Sequence, residues 1–199
     1  MSAEGRYPRV VAVAGQALTL RSMTPGDGPA VVAFARALPA HDLLFLRRDI
    51  TDPAAVERWA EGIARGVMHT VLAERDGAMV GYATVDRGEA TWSPHVAELR
   101  VLVAEAMRGK GLGRLLTQEA MAMALGLGIE KMIAQMTLDQ AGAIRVFEAM
   151  GFRTEALLRE HVKDREGGKH DLLVLSRDVV KFLAQLSAYG VDEALAGSP

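Results

Sequence analysis

The stretch Arg108-Gly109-Lys110-Gly111-Leu112-Gly113-Arg114 constrains this chain most. Before it, Glu98 to Val103 reads as a strand. After it, Leu112, Leu116, Ala120 and Met123 recur at helical spacing, so a helix covers 115–124. The order is therefore strand, glycine loop, helix. A helix entry carries N–H groups that no preceding turn can satisfy, and glycine lets an anion reach them without a Cβ in the way. Arg108, Lys110 and Arg114 add positive charge. Several such donors suit a diphosphate, although the loop in isolation reads equally as a tight turn. It is not a P-loop, because Gly-x-x-x-x-Gly-Lys-Ser/Thr is absent, nor a dinucleotide fingerprint, because Leu116 stands where the third glycine is needed.

The remaining chain supplies strands on both sides of this unit. Arg9 to Ala14 and Ala17 to Met23 flank Gly15-Gln16 as an opening hairpin. His69 to Arg75 and Ala78 to Arg87 flank Asp76-Gly77, a step that readily supplies positive φ. Between the hairpins, Asp27-Gly28-Pro29 and Asp52-Pro53 start two helices, with Val31, Phe34 and Leu38 on one apolar face and Val56, Trp59 or Ala60, and Ile63 on the other. Lys131 to Met136 is a strand and Gln140 to Met150 a helix. Leu157 to Lys163 and His170 to Ser176 form a hairpin about Gly167-Gly168, and a helix runs from Asp178 to about Tyr189. A sheet with interspersed helices, α/β or α+β, is the expected class.

Composition narrows function by exclusion. Lys plus Arg is 23 against 25 for Asp plus Glu, so no field gathers nucleic acid. There is no cysteine, which removes disulfides, thiolate metal sites and cysteine nucleophiles. The longest apolar run, Ala120 to Ile129, is broken by two glycines and is too short to cross a bilayer, and no leader pattern opens the chain. The expectation is a cytoplasmic protein without membrane or nucleic-acid partners.

Two motifs carry a family resemblance. Arg108-x-x-Gly111-x-Gly113, after the strand Leu99 to Val103, resembles the acyl-CoA signature Gln/Arg-x-x-Gly-x-Gly/Ala of the GNAT (Gcn5-related N-acetyltransferase) superfamily. About 30 residues on, Gln140-Ala141-Gly142-Ala143-Ile144-Arg145-Val146-Phe147-Glu148-Ala149-Met150-Gly151-Phe152 resembles its second motif, Asn-x-x-Ala-x-x-x-Tyr-x-x-x-Gly-Phe. The resemblance implies a mixed, mostly antiparallel central sheet flanked by helices, with two strands splayed to form an acyl-CoA slot. It also implies one acyltransferase domain over 1–199: a core at 16–176, an additional strand in 1–15, and an extra helix and tail in 177–199. The implied reaction is acetyl transfer from acetyl-CoA to a primary amine, on a small molecule or on a protein lysine or N-terminus.

By the same resemblance, the backbone at Gly109, Gly111, Gly113 and Arg114 would hold the pyrophosphate, with Arg108, Lys110 and Leu112 in the same loop. Leu102 and Val103 would pair with the pantetheine, and Gln140 and Phe147 occupy the positions of the family's asparagine and tyrosine. That tyrosine protonates the departing thiolate, and Phe147 has no hydroxyl. A general acid contributes about 10²- to 10⁴-fold, whereas a thiol of pKa about 8.5 leaves fairly readily as thiolate. The alternative implied by Phe147 is a non-catalytic acyl-CoA-binding regulatory module.

The acceptor amine, if like lysine with a pKa of about 10.4, must lose a proton before it attacks. Glu98 is the candidate base, many family members placing a glutamate on this strand, with a carboxylate simply paired to Arg100 as the other reading. His95 is the second candidate. His161 and His170, with Asp164 and Asp171, could suggest a metal pair, but Lys163, Arg165 and Lys169 favour a solvated hairpin and no metal is expected. Met121, Met123, Met132 and Met136 read as core filler. Phe45, Trp59 and Trp92 are candidates for an acceptor pocket or for core. The acceptor stays unnamed, and a homodimer is compatible with the sequence.

Overall fold

The structure, a computed structural model, describes residues 6–44, 46–89 and 92–188. Its strands are β1 (Arg9–Val13), β2 (Gln16–Ser22), β3 (Met68–Arg75), β4 (Ala78–Asp86), β5 (Val96–Val103), β6 (Lys131–Thr137), β7 (Arg153–Lys163) and β8 (Lys169–Asp178). Its helices are α1 (Gly28–Arg36), α2 (Ala40–Leu43), α3 (Pro53–Ala64), α4 (Leu112–Gly126), α5 (Ala141–Ala149) and α6 (Val179–Ala188). The strands form one eight-stranded sheet in the order β1-β2-β3-β4-β5-β6-β8-β7. Every pairing is antiparallel except β5 with β6.

The expected hairpins form where turn chemistry allows. Asp76 and Gly77, at φ 53° and 77°, turn β3 into β4, and Ala14 and Gly15 do the same between β1 and β2. At α3 the Asp52 side chain accepts from Ala54 N at 3.0 Å and Pro53 occupies the first turn. Alternation along each strand then sorts side chains onto two faces. On one, Leu99, Ala134 and Leu175 join α4 residues Leu112, Leu116 and Ala120 and the α5 residue Phe147 in the larger core cluster. On the other, Leu72 and Tyr82 join Val31, Phe34, Val56 and Trp59 of α1 and α3.

Several elements depart from the sequence reading, among them β7, which starts at Arg153, four residues before the expected Leu157. Helix α4 starts at Leu112, three residues before the expected 115. Gly113 lies in its first turn, and a glycine there weakens the propensity signal that marks a helix. Helix α2 was not expected at all, since four residues carry no periodicity. The methionines are core, with Met121 and Met132 fully buried.

Gly81 on β4 shows how closely α4 rides on the sheet. A Cβ there would stand 2.9 Å from the Leu102 carbonyl oxygen and 3.1 Å from Leu116 Cδ1. Gly81→Val is expected to destabilise the fold by about 1–3 kcal/mol through overpacking. Urea unfolding measures it, and an unchanged midpoint would show that α4 can lift away from β4 freely.

Candidate functional site

The parallel pairing of β5 with β6 is short: Val96 faces Lys131, Ala97 faces Met132 and Glu98 faces Ile133. Beyond that rung β6 continues to pair with β8, from Ala134 to Thr137, while β5 continues to pair with β4, from Leu99 to Val103. The two strands thus separate toward their C-terminal ends. Along Leu99 to Val103, the edge of β5 that faces away from β4 has no strand beside it among the described residues and can pair with an extended ligand.

The glycine loop stands at the end of this unpaired edge. Gly109 and Gly111 have φ of 70° and 92°, a left-handed conformation that a side chain resists. A Cβ on either would meet nothing within 4 Å, so the loop backbone is open from outside. The first helical bond to Gly111 O comes from Leu115 N at 3.1 Å, which leaves the N–H groups of Leu112, Gly113 and Arg114 pointing out of the helix end. Arg108, Lys110 and Arg114 are exposed around them. These donors fit a diphosphate. The Leu112 side chain is fully buried on the apolar face it shares with Leu116 and Ala120, so only its backbone is open to a ligand.

Glu98 occupies the last paired rung, at the point where the strands part. Its carboxylate is buried and held at both oxygens: Arg47 Nη1 donates to Oε2 at 2.8 Å and Arg100 Nη2 to Oε1 at 2.6 Å. The pairing to Arg100 was legible from alternation on β5. Arg47 was not, since it lies 51 positions away in the irregular connection between α1 and α3. Arg48 follows it and donates to Asp86 at 3.2 Å. A narrow cavity is lined by Arg48 and Arg100 together with Leu46, Ile50, Trp59, Tyr82 and Thr84. Trp59 is otherwise core, its Nε1 donating to Thr70 Oγ1 at 3.1 Å. Burial pushes the Tyr82 hydroxyl up to about 12, against the opposing charges of Arg100 and Arg48, so it stays a neutral donor.

The other candidates fall elsewhere. Gln140 closes the turn between β6 and α5, its Oε1 accepting from Thr137 N at 3.1 Å. The Phe147 ring is buried against Phe152 with centroids 4.9 Å apart. His95 is exposed ahead of β5, and its carbonyl accepts from Glu130 N and Lys131 N, on the far side of Glu98 from the opening. Trp92 is 90% exposed, and Phe45 lies outside the described residues. In the last hairpin His170 Nε2 and Asp164 Oδ2 lie 2.8 Å apart, and His170 is in register with Val162 rather than His161. No group of three or more potential metal ligands occurs among the described residues. No helix among them is long and apolar enough to cross a membrane.

The known proteins that this chain is similar to are acetyltransferases. The model of the acetyltransferase (GNAT) family matches residues 32–152. YwnH of Bacillus subtilis (strain 168), provisionally named a phosphinothricin acetyltransferase, is 26% identical over 164 residues, covering 81% of this chain and 99% of its own. AaaT of Escherichia coli (strain K12), an L-amino acid N-acetyltransferase, is 26% identical over 121 residues, covering 60% of this chain and 74% of its own. Among solved structures, YncA of Salmonella typhimurium with its cofactor acetyl-CoA superposes with a TM-score of 0.72 at 23% identity, over 81% of this chain and 94% of that one. The chain belongs to the acetyltransferase (GNAT) family, as an N-acetyltransferase that takes its acyl group from acetyl-CoA.

Proposed function

We propose that the acceptor is a small amine that also carries a carboxylate, and that Glu98 is the base that prepares it. The observation that carries this reading is the setting of Glu98: a carboxylate at the fork of the parted strands, held between the guanidinium groups of Arg47 and Arg100. Arg47, Arg48 and Arg100 outnumber Glu98 and Asp86 on this face, so a polycationic acceptor is disfavoured and an anionic group on the acceptor is attracted. Arg100 Nε is buried with no hydrogen-bond partner among the described residues. The names of YwnH and AaaT point to acceptors of the same chemistry.

In this reading the glycine loop, with Arg108, Lys110 and Arg114, holds the pyrophosphate of the donor, and the free edge at Leu102 and Val103 pairs with the pantetheine. Glu98 takes a proton from the ammonium, directly or through water, and the neutral amine attacks the thioester carbonyl. The N–C bond forms, a backbone N–H near Val103 stabilises the oxyanion, the attacking nitrogen gives its second proton to solvent, and the C–S bond breaks. Phe147 gives the thiolate no proton, so solvent supplies it.

Thiol release from acetyl-CoA tests the reading when run with L-amino acids, their carboxamides, spermidine and peptides. Free amino acids are expected to be turned over, with the carboxamides lower in kcat/KM by about 10- to 100-fold, the value of one or two charge-assisted hydrogen bonds. Equal rates for acid and amide would remove the carboxylate from the proposal. CoA binding without release on any amine would remove the base as well.

A further inference from the structure

Buried donors that the acetyl transfer does not use meet in the narrow cavity lined by Arg48, Tyr82, Thr84 and Arg100. Tyr82 is 3% exposed, and its hydroxyl has no hydrogen-bond partner among the described residues. Its ring lies against Trp59, with centroids 5.0 Å apart, and against Phe34 at 6.2 Å, which fixes where the hydroxyl stands. The charges of Arg100 and Arg48 both act on that hydroxyl. Arg100 Nε is buried without a partner among the described residues, although Nη2 of the same guanidinium donates to Glu98. Thr84 Oγ1 lies 2.9 Å from Thr70 Oγ1, which accepts from Trp59 Nε1. With Thr70 donating in turn, Thr84 keeps its own proton for the cavity. Leu46, Ile50 and Trp59 complete the lining and bring no side-chain acceptor. Donors left unmet in an interior are costly, and such groups are regularly found paired.

We infer that this cavity binds a monoatomic anion, with chloride as the natural occupant, held by the Tyr82 hydroxyl, Thr84 Oγ1 and Arg100 Nε. Size selects the class: there is room for about one water-sized atom, so neither a carboxylate nor a phosphate group fits whole. Charge then favours an anion over water. Arg47, Arg48 and Arg100 are paired only to Glu98 and Asp86, which leaves one guanidinium in excess, and buried charge is costly unless it is matched. A water would also bring two more protons to a place already supplied with donors. The acceptor's carboxylate is left to the outer guanidinium groups, chiefly that of Arg47, which is 64% exposed. The ion has a consequence for the site as well. A guanidinium is planar, so an anion seated at Nε fixes the plane in which Nη2 reaches Glu98 Oε1 at 2.6 Å.

Thermal melting of the full chain tests the site in sodium chloride, bromide and gluconate at constant ionic strength. Gluconate is too large to enter. Chloride and bromide are expected to raise Tm saturably, by about 3–6 °C at about ten times Kd, and gluconate is expected to leave it unchanged. Tyr82→Phe keeps both ring contacts and removes only the hydroxyl. It is expected to move the halide midpoint upward by about 10- to 100-fold, the value of one charge-assisted hydrogen bond. Crystals soaked in bromide locate the ion directly by anomalous scattering, expected between Tyr82 and Arg100, and this measurement decides even if Tyr82→Phe does not fold. A wild-type Tm that does not distinguish halide from gluconate overturns the inference and leaves water as the occupant. An unchanged midpoint in Tyr82→Phe, or bromide found only elsewhere on the molecule, overturns it equally.

Discussion

Glu98→Gln is expected to lower kcat/KM for the acceptor by about 10²- to 10⁴-fold at neutral pH, with CoA affinity changed by less than about two-fold. An amine of pKa about 10.4 is almost wholly protonated at neutral pH, so the enzyme must accept a proton before the lone pair can attack. Glu98 sits at the last rung where β5 and β6 pair, and each of its oxygens already accepts from one arginine. A carboxylate oxygen has a second acceptor site, so the pairing still leaves room for a water or an ammonium. Glutamine keeps the shape and one acceptor oxygen and loses the basicity. The deficit should shrink as the pH approaches the amine's own pKa, because solvent then does what Glu98 did. A rate that stays near wild type, with an unchanged pH profile, would assign Glu98 to holding Arg100 and Arg47 instead.

The parts of this site that sequence reading located are those whose signal is local. The glycine loop announces itself because left-handed backbone at Gly109 and Gly111 restricts residue type, and the Asp76-Gly77 turn does so for the same reason. Glu98 and Arg100 share a face by strand alternation, so their pairing follows from spacing alone. Arg47 and Arg48 act from an irregular connection whose carboxylate partners lie 51 and 38 positions away, and no periodicity encodes those. Their only cue was two adjacent arginines after an apolar stretch. Phe147 shows the opposite limit. Its motif position was legible, yet only the fold shows its ring packed on Phe152 in the core.

The largest loss of stability is expected from a carboxylate outside the site. Glu119 lies on α4, fully buried, and the segment leading into β1 closes over it. Arg6 Nε donates to Oε2 at 3.0 Å, Tyr7 hydroxyl donates to the same oxygen at 2.6 Å, and Arg9 pairs with Oε1. Burial alone would raise this carboxyl, but the hydrogen bonds from Arg6 and Tyr7 and the charges of Arg6 and Arg9 outweigh it, and it is held below its ordinary value. Burial pushes the Tyr7 hydroxyl up, the neighbouring Glu119 charge adding to the effect, so the phenol remains a donor. Glu119→Ala removes the common acceptor of three groups. Breaking a buried pair costs about 3–5 kcal/mol, and the arginines, 22% and 27% exposed, recover part of that by rehydration. A loss of about 2–4 kcal/mol in urea unfolding is expected. The sign of the pH dependence is fixed as well. A carboxyl held low in the folded state contributes fully above its unfolded value of about 4.3, and the contribution fades as pH falls through the lower folded value. The gap between wild type and variant should therefore narrow in acid. Since α4 also presents the glycine loop at its first turn, releasing its attachment to β1 should loosen CoA binding in parallel with stability. A variant as stable as wild type at neutral pH would show that Arg6, Tyr7 and Arg9 find equal partners in water, and that β1 is held by its pairing to β2 alone.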